Sequence, residues 1–96
     1  MPRQDTFRLR LYVAGDTQNS AQARANLEAI CREYLPDRHH IEVVDVILQP
    51  KRALADGVLM TPMLVKLAPA PVQRIVGTLS HTLTVLQVLG LDSRAA

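Results

Sequence analysis

Apolar and polar residues alternate strictly from Phe7 to Val13. Phe7, Leu9, Leu11 and Val13 fall on one side and Arg8, Arg10 and Tyr12 on the other, which predicts a strand with one buried face. The period then lengthens: Ala23, Leu27, Ile30 and Tyr34 recur at helical spacing, while Gln22, Glu28, Arg32 and Glu33 face water. Asn19 can cap this helix, with Gln22 reaching back in a variant of the capping box, and Pro36-Asp37 ends it. Ile41–Leu48, IEVVDVIL, is apolar on both sides, the pattern of an interior strand. Strand, helix, strand in this order predicts a parallel, right-handed crossover unit.

Pro50 opens a short, weak helix from Lys51 to about Leu59, with Leu54 and Val58 as its buried side and Gly57 weakening it. Two apolar runs follow, Met63–Leu67 and Val72–Val76. Pro62 cannot donate to a strand ladder and biases Thr61 away from the helical region, so the first run starts as a strand at or after it. Ala68-Pro69-Ala70-Pro71 stiffens the connection, and a hairpin is the first reading. The same residues also permit short helices broken at the prolines. His81–Gly90 is equally double: Leu83, Leu86, Val88 and Leu89 suit a helix capped by Ser80, whereas β-branched Thr82, Thr84, Val85 and Val88 suit a strand. Local preferences that disagree in this way mark a chain with competing folded arrangements.

The resulting order, βαβαββα with a proline opening the third strand, is the thioredoxin-type α/β arrangement, and it invites an enzyme reading. Thiol-disulfide exchange needs an activated cysteine at the start of the first helix. Thr17-Gln18-Asn19-Ser20 stands there, and the chain's single cysteine, Cys31, lies far along the helix beside Ile30, where packing is the expected role. One cysteine also precludes an internal disulfide. His39 and His40 are adjacent in an extended segment and point to opposite sides, so they make a poor metal pair, and His81 reads as a surface or cap residue. Asp45, in an otherwise apolar strand, is the best candidate for a perturbed carboxylate, or else it meets a backbone donor or an arginine at the strand edge. Ser20 and Ser80 have no sequence hint of a base beside them, and Gly15 alone is no phosphate cradle. The residues point to no catalytic, cofactor or metal site.

Composition changes this picture little. Ninety-six residues suit one domain, 1–96, with loose ends expected at 1–6 and 93–96. One Phe, two Tyr and no Trp leave an aliphatic core. Eleven Lys and Arg against nine Asp and Glu give a net charge of +2, too small to imply nucleic-acid binding. Arg8 and Arg10 form a small basic stripe, either solvated or facing an acidic partner. The charged start MPRQDTFRLR is unlike a signal peptide, and no uncharged stretch approaches the ~18 residues of a membrane span, so a cytoplasmic protein is expected.

Three stretches carry a resemblance. They are Tyr12-Val-Ala-Gly15-Asp-Thr17-Gln-Asn19-Ser20; Asp45-Val46 with Pro50 and Leu54-Ala55-Asp56; and Leu59-Met60-Thr61-Pro62-Met-Leu64 through Lys66, Pro69, Pro71, Arg74, Ile75, Gly77, Leu79 and Ser80. Together they resemble the KaiB family of circadian clock proteins over roughly residues 7 to 90. The resemblance implies a non-enzymatic protein that binds the ATPase ring of a KaiC-type kinase and modulates its phosphorylation cycle. It also implies a KaiA-like protein or a clock-output histidine kinase as further partners. Fold switching is implied too, between a resting tetramer of order βαββααβ and a monomeric thioredoxin-like binding form. The alternative is a thioredoxin-like sensor or adaptor domain in signalling or stress response.

On this resemblance Gln22, Arg24, Glu42 and Gly57 are candidate partner contacts, drawn from the first helix, the start of the second strand and their surroundings. Thr61, Pro62, Pro69, Pro71, Gly77, Val88 and Gly90 are candidate switch and turn positions. The chain departs from the family pattern in several places. Ala70 interrupts what is usually a run of three prolines, Asp16 and Gln18 replace Asn and Pro, and Thr78 replaces Asp. Val88 and Gly90 stand where clock-type members tend to have Gly and Asp, and Glu42 where a basic residue is common. The sequence ends Ser93-Arg94-Ala95-Ala96, without the acidic tail of cyanobacterial members, which suggests a non-cyanobacterial or divergent homologue.

Overall fold

A computed structural model describes residues 6–91. The expected loose ends lie outside the described residues, apart from Thr6, which is exposed. Strand β1 (Phe7–Val13) leads through helix α1 (Gln18–Tyr34) to β2 (His39–Asp45), then α2 (Pro50–Ala55), β3 (Met63–Ala68), β4 (Gln73–Val76) and α3 (Thr82–Leu89). The four strands form one sheet in the order β2-β1-β3-β4. β1 runs parallel to β2 and antiparallel to β3, and β3 and β4 make the hairpin. This is the thioredoxin-like order. At Met63–Val76 the hairpin prevails over the broken helices, and at 82–89 the helix prevails over the strand.

The alternation in β1 sets two cores. Phe7, Leu9, Leu11 and Val13 meet Ala23, Leu27, Ile30, Cys31 and Leu35 from α1 and its end, with Leu79, Val85, Leu86 and Leu89 from α3 and the segment before it. On the opposite face Tyr12, Val44, Met63 and Val65 make a smaller cluster, with Val46, Val58 and Leu67 packed against it. One face of the sheet thus carries two helices, and the other only the six-residue α2.

Several sequence expectations are corrected. The N-cap of α1 is Thr17, not Asn19: its backbone is extended, and its Oγ1 accepts from Ser20 N. β2 is an edge strand, not an interior one, and it stops at Asp45 rather than Leu48. Asp45 Oδ1 accepts from both Gly15 N and Ile47 N, and this closes a turn that takes Ile47 and Leu48 out of the ladder, while Val46 N still donates to Val13 O at 2.8 Å. α2 ends at Ala55 instead of about Leu59, and its inward residue is Ala53; Leu54 is 78% exposed, and Val58 packs from beyond the helix. α3 is preceded by His81, with no side-chain cap; Ser80 Oγ instead lies 2.6 Å from Thr78 Oγ1. Leu83, counted with the apolar side of α3, is exposed, while Val85 takes its place in the core.

Among the described residues, one charged side chain sits inside. Lys66, on the α1/α3 face of β3, is 4% exposed; its Nζ lies 3.5 Å from the Leu89 carbonyl at the end of α3 and 5.9 Å from the Phe7 ring centroid. Arg38 approaches the same ring, at 5.7 Å. Removing an ammonium from water costs several kcal/mol even after relaxation. A cation over an aromatic face returns about 0.5–2 kcal/mol, and one at a helix C-terminus about 0.3–1 kcal/mol.

Candidate protein-interaction surface

The loop from β1 to α1 occupies the position at which a thioredoxin-type fold would carry its reactive thiols, and here hydroxyls do structural work. Buried Ser20 accepts from Ala14 N at 3.0 Å and receives the Thr17 hydroxyl at 2.8 Å, so both side chains bind the loop to the helix start. Cys31 is fully buried two turns or more along α1, and burial pushes its thiol up to about 11. Such a thiol is a poor nucleophile at neutral pH.

The opposite face carries a polar cluster joining three elements. Arg10 on β1 donates to Glu42 on β2 at 2.8 Å, and Arg52 on α2 lies 2.8 Å from the second carboxylate oxygen of Glu42. Tyr12 donates its hydroxyl to Asp56 at 2.6 Å, and Asp56 stands 3.7 Å from Arg52 and 3.8 Å from Arg10. The hydrogen bonds from Arg10 and Arg52 hold the Glu42 carboxyl below its ordinary pKa. Burial first, and the Asp56 carboxylate second, raise the Tyr12 phenol above its own. The cluster clamps α2 across the sheet but leaves its far side bare.

Beyond that clamp, at the end of the sheet where β1 and β2 finish and β3 begins, large apolar side chains face solvent. Ile47 and Leu48 follow the Asp45 turn, Leu54 projects from α2, and Leu59 and Met60 precede Thr61-Pro62; all five are more than 60% exposed. Leu54, Leu59 and Met60 join Val46, Pro50 and Val58 around a groove of about 370 Å³. Scattered exposed apolar residues are ordinary, whereas Leu54, Leu59 and Met60 share one groove, which makes it a candidate docking surface.

A family model described as the KaiB domain matches residues 10–91. The chain belongs to the KaiB family. Among its relatives, the circadian clock protein KaiB3 of Synechocystis sp. is 48% identical over 84 residues, which cover 88% of this chain and 80% of that protein. The circadian clock oscillator protein KaiB of Thermosynechococcus vestitus is 42% identical over 91 residues, covering 95% and 82%. Among solved structures, the N-terminal domain of Synechococcus elongatus SasA superposes with a TM-score of 0.74 at 19% identity, covering 98% of this chain and 90% of that one. Chloroplastic thioredoxin z gives 0.74 at 20% identity, covering 94% and 81%. At such identities these two likenesses establish the thioredoxin-like fold alone.

In this KaiB-family chain the four candidate contacts fall on two faces. Gln22 and Arg24 are exposed on α1, and Arg24 borders a polar depression with Gly15 and Asp16. Glu42 and Gly57 lie on the α2 face, and Glu42, expected as an exposed contact, is instead occupied by Arg10 and Arg52. Gly57 takes φ +72, and Arg74 lies 3.9 Å from where a Cβ would stand. Thr61-Pro62, Ala68-Pro69 and Ala70-Pro71 are cis and bracket β3. Gly77 (φ +123) follows β4, and Gly90 (φ +80) forms the left-handed cap of α3. Val88 is half-buried on α3. His39 and His40 take opposite sides, as read from sequence, and His39 Nδ1 lies 2.7 Å from Leu35 O. Arg8 remains exposed, whereas Arg10 is paired. The exposed leucines were the missed feature. For Leu48 and Leu59 the sequence signal was position, after a turn-forming Asp and before a Thr-Pro, outside any regular element; Leu54, inside α2, gave no such signal.

Proposed function

We propose that this chain is a timing protein that acts by binding, in the cytoplasm, to the ATPase ring of a KaiC-type kinase, and that it thereby modulates the kinase's phosphorylation cycle without performing catalysis. The apolar patch at Ile47, Leu48, Leu54, Leu59 and Met60 carries the reading, because it gives a KaiB-family chain a docking surface in the thioredoxin-like arrangement. A KaiA-like protein or a clock-output histidine kinase would be a further partner. Exchange with a resting tetramer of order βαββααβ would turn on 50–90, where helix and strand preferences conflict, with Thr61, Pro62, Pro69, Pro71, Gly77, Val88 and Gly90 as switch positions. The small core and six-residue helix of the α2 face support a second arrangement within reach of a partner's binding energy. No helix among the described residues is long and apolar enough to cross a membrane.

The test is co-elution of the purified chain with a KaiC-type ATPase ring on a sizing column, beside the double variant Leu54→Ser/Leu59→Ser. Both leucines are exposed, so the variant keeps its fold. The expected result is co-elution of the wild-type chain and an affinity at least tenfold weaker for the variant. Absence of wild-type co-elution refutes the partner; equal binding by the variant refutes the surface.

A further inference from the structure

Lys66 is the one described lysine inside the molecule, and neither the polar cluster nor the apolar patch uses it. Among the described residues its ammonium has a single acceptor, the neutral Leu89 carbonyl, at the outer limit of a hydrogen bond. It shares the Phe7 ring with Arg38, a second cation, whose own Nε is buried without a hydrogen bond. No carboxylate pairs with Lys66 among the described residues. The burial of an ammonium outweighs what one long bond and a shared ring return. Docking of α3 contributes to that burial, because the ammonium's acceptor, the Leu89 carbonyl, belongs to the last residue of the helix.

We infer that Lys66 is a release element for α3: its buried charge opposes docking of the helix, so that α3 separates from the sheet more readily than the rest of the fold. The apolar residues Val85, Leu86 and Leu89 hold the helix down, and Lys66 sets how far below the rest of the molecule its docking strength lies. A methionine of similar length fills the same space without a charge to desolvate.

Amide hydrogen exchange on the free full-length chain tests this, with Lys66→Met and Lys66→Arg compared with wild type. In Lys66→Met the α3 amides, Val85 to Leu89, exchange at least tenfold more slowly, while those of Leu9 and Leu11 in β1 slow by a smaller factor. In Lys66→Arg, which keeps the charge, α3 exchanges at the wild-type rate or faster. A Lys66→Met chain that fails to fold, or whose α3 amides exchange as fast as or faster than wild type, overturns the inference, because the lysine would then hold the helix in place. Equal slowing at α3 and β1 also overturns it, since the effect would be global.

Discussion

Glu42 holds arginines from two different elements, Arg10 on β1 and Arg52 on α2, and so joins an edge strand to a short helix that would otherwise rest on Ala53 and little else. Its pKa is lowered in the folded chain, first by the hydrogen bond from Arg10 and then by that from Arg52. A carboxylate whose folded value is depressed adds stability that is fully present above its unfolded pKa and is lost as pH falls through the folded value. Because the side chain is 38% exposed, solvent screens the pairs and the contribution is small. Glu42→Gln is therefore expected to destabilise the fold by less than about 1 kcal/mol at neutral pH. In urea unfolding followed across acid pH, the gap between wild type and variant should close as Glu42 protonates. A gap that persists at acid pH would mean that Glu42 acts through packing instead.

At the level of elements, β1 and α1 were the most legible because one face of each is buried against the other, so their periods survive in the sequence. The bounds Phe7–Val13 needed no correction, although Tyr12, read on the polar side, is buried in the second core. Elements of the α2 face were less legible, for a physical reason: an apolar residue there is as often exposed as buried. Leu54 and Val58 looked like the inner side of a longer helix, yet the helix turns Ala53 inward, and Val58 packs from beyond its end. β2 looked interior because α1 and α2 each cover part of it, although its outer edge is unpaired. The start of α1 was misplaced by two residues because Thr17 and Asn19 have equal capping chemistry, and only the position of Ser20 decides between them. Ser20 accepts from Ala14 N in a site closed to water, so Ser20→Ala strands that donor. A loss of about 1–3 kcal/mol is expected in thermal or urea unfolding. A neutral substitution would show that the loop is held by Thr17 alone.

At the scale of the whole molecule, unequal cover of the sheet's two faces organises the rest. Two helices and a large aliphatic core lie on one side; on the other, a six-residue helix held by ion pairs ends beside a bare apolar patch. None of the candidate contacts read from sequence lies in that patch, although Gly15, 3.4 Å from the Ile47 Cδ1 if it carried a Cβ, links the α1 side to it. Family likeness drew its candidate contacts from α1, the start of β2 and Gly57, while the leucines became visible only once their exposure was known. The most direct test is an NMR footprint of the labelled chain on addition of a KaiC-type ATPase ring. The predicted result is that perturbed amides cluster at 46–49, 54 and 58–61, while 82–89 keeps helical shifts. Perturbations confined to the outer face of α1, or strand-like shifts at 82–89 in the bound state, would contradict the account.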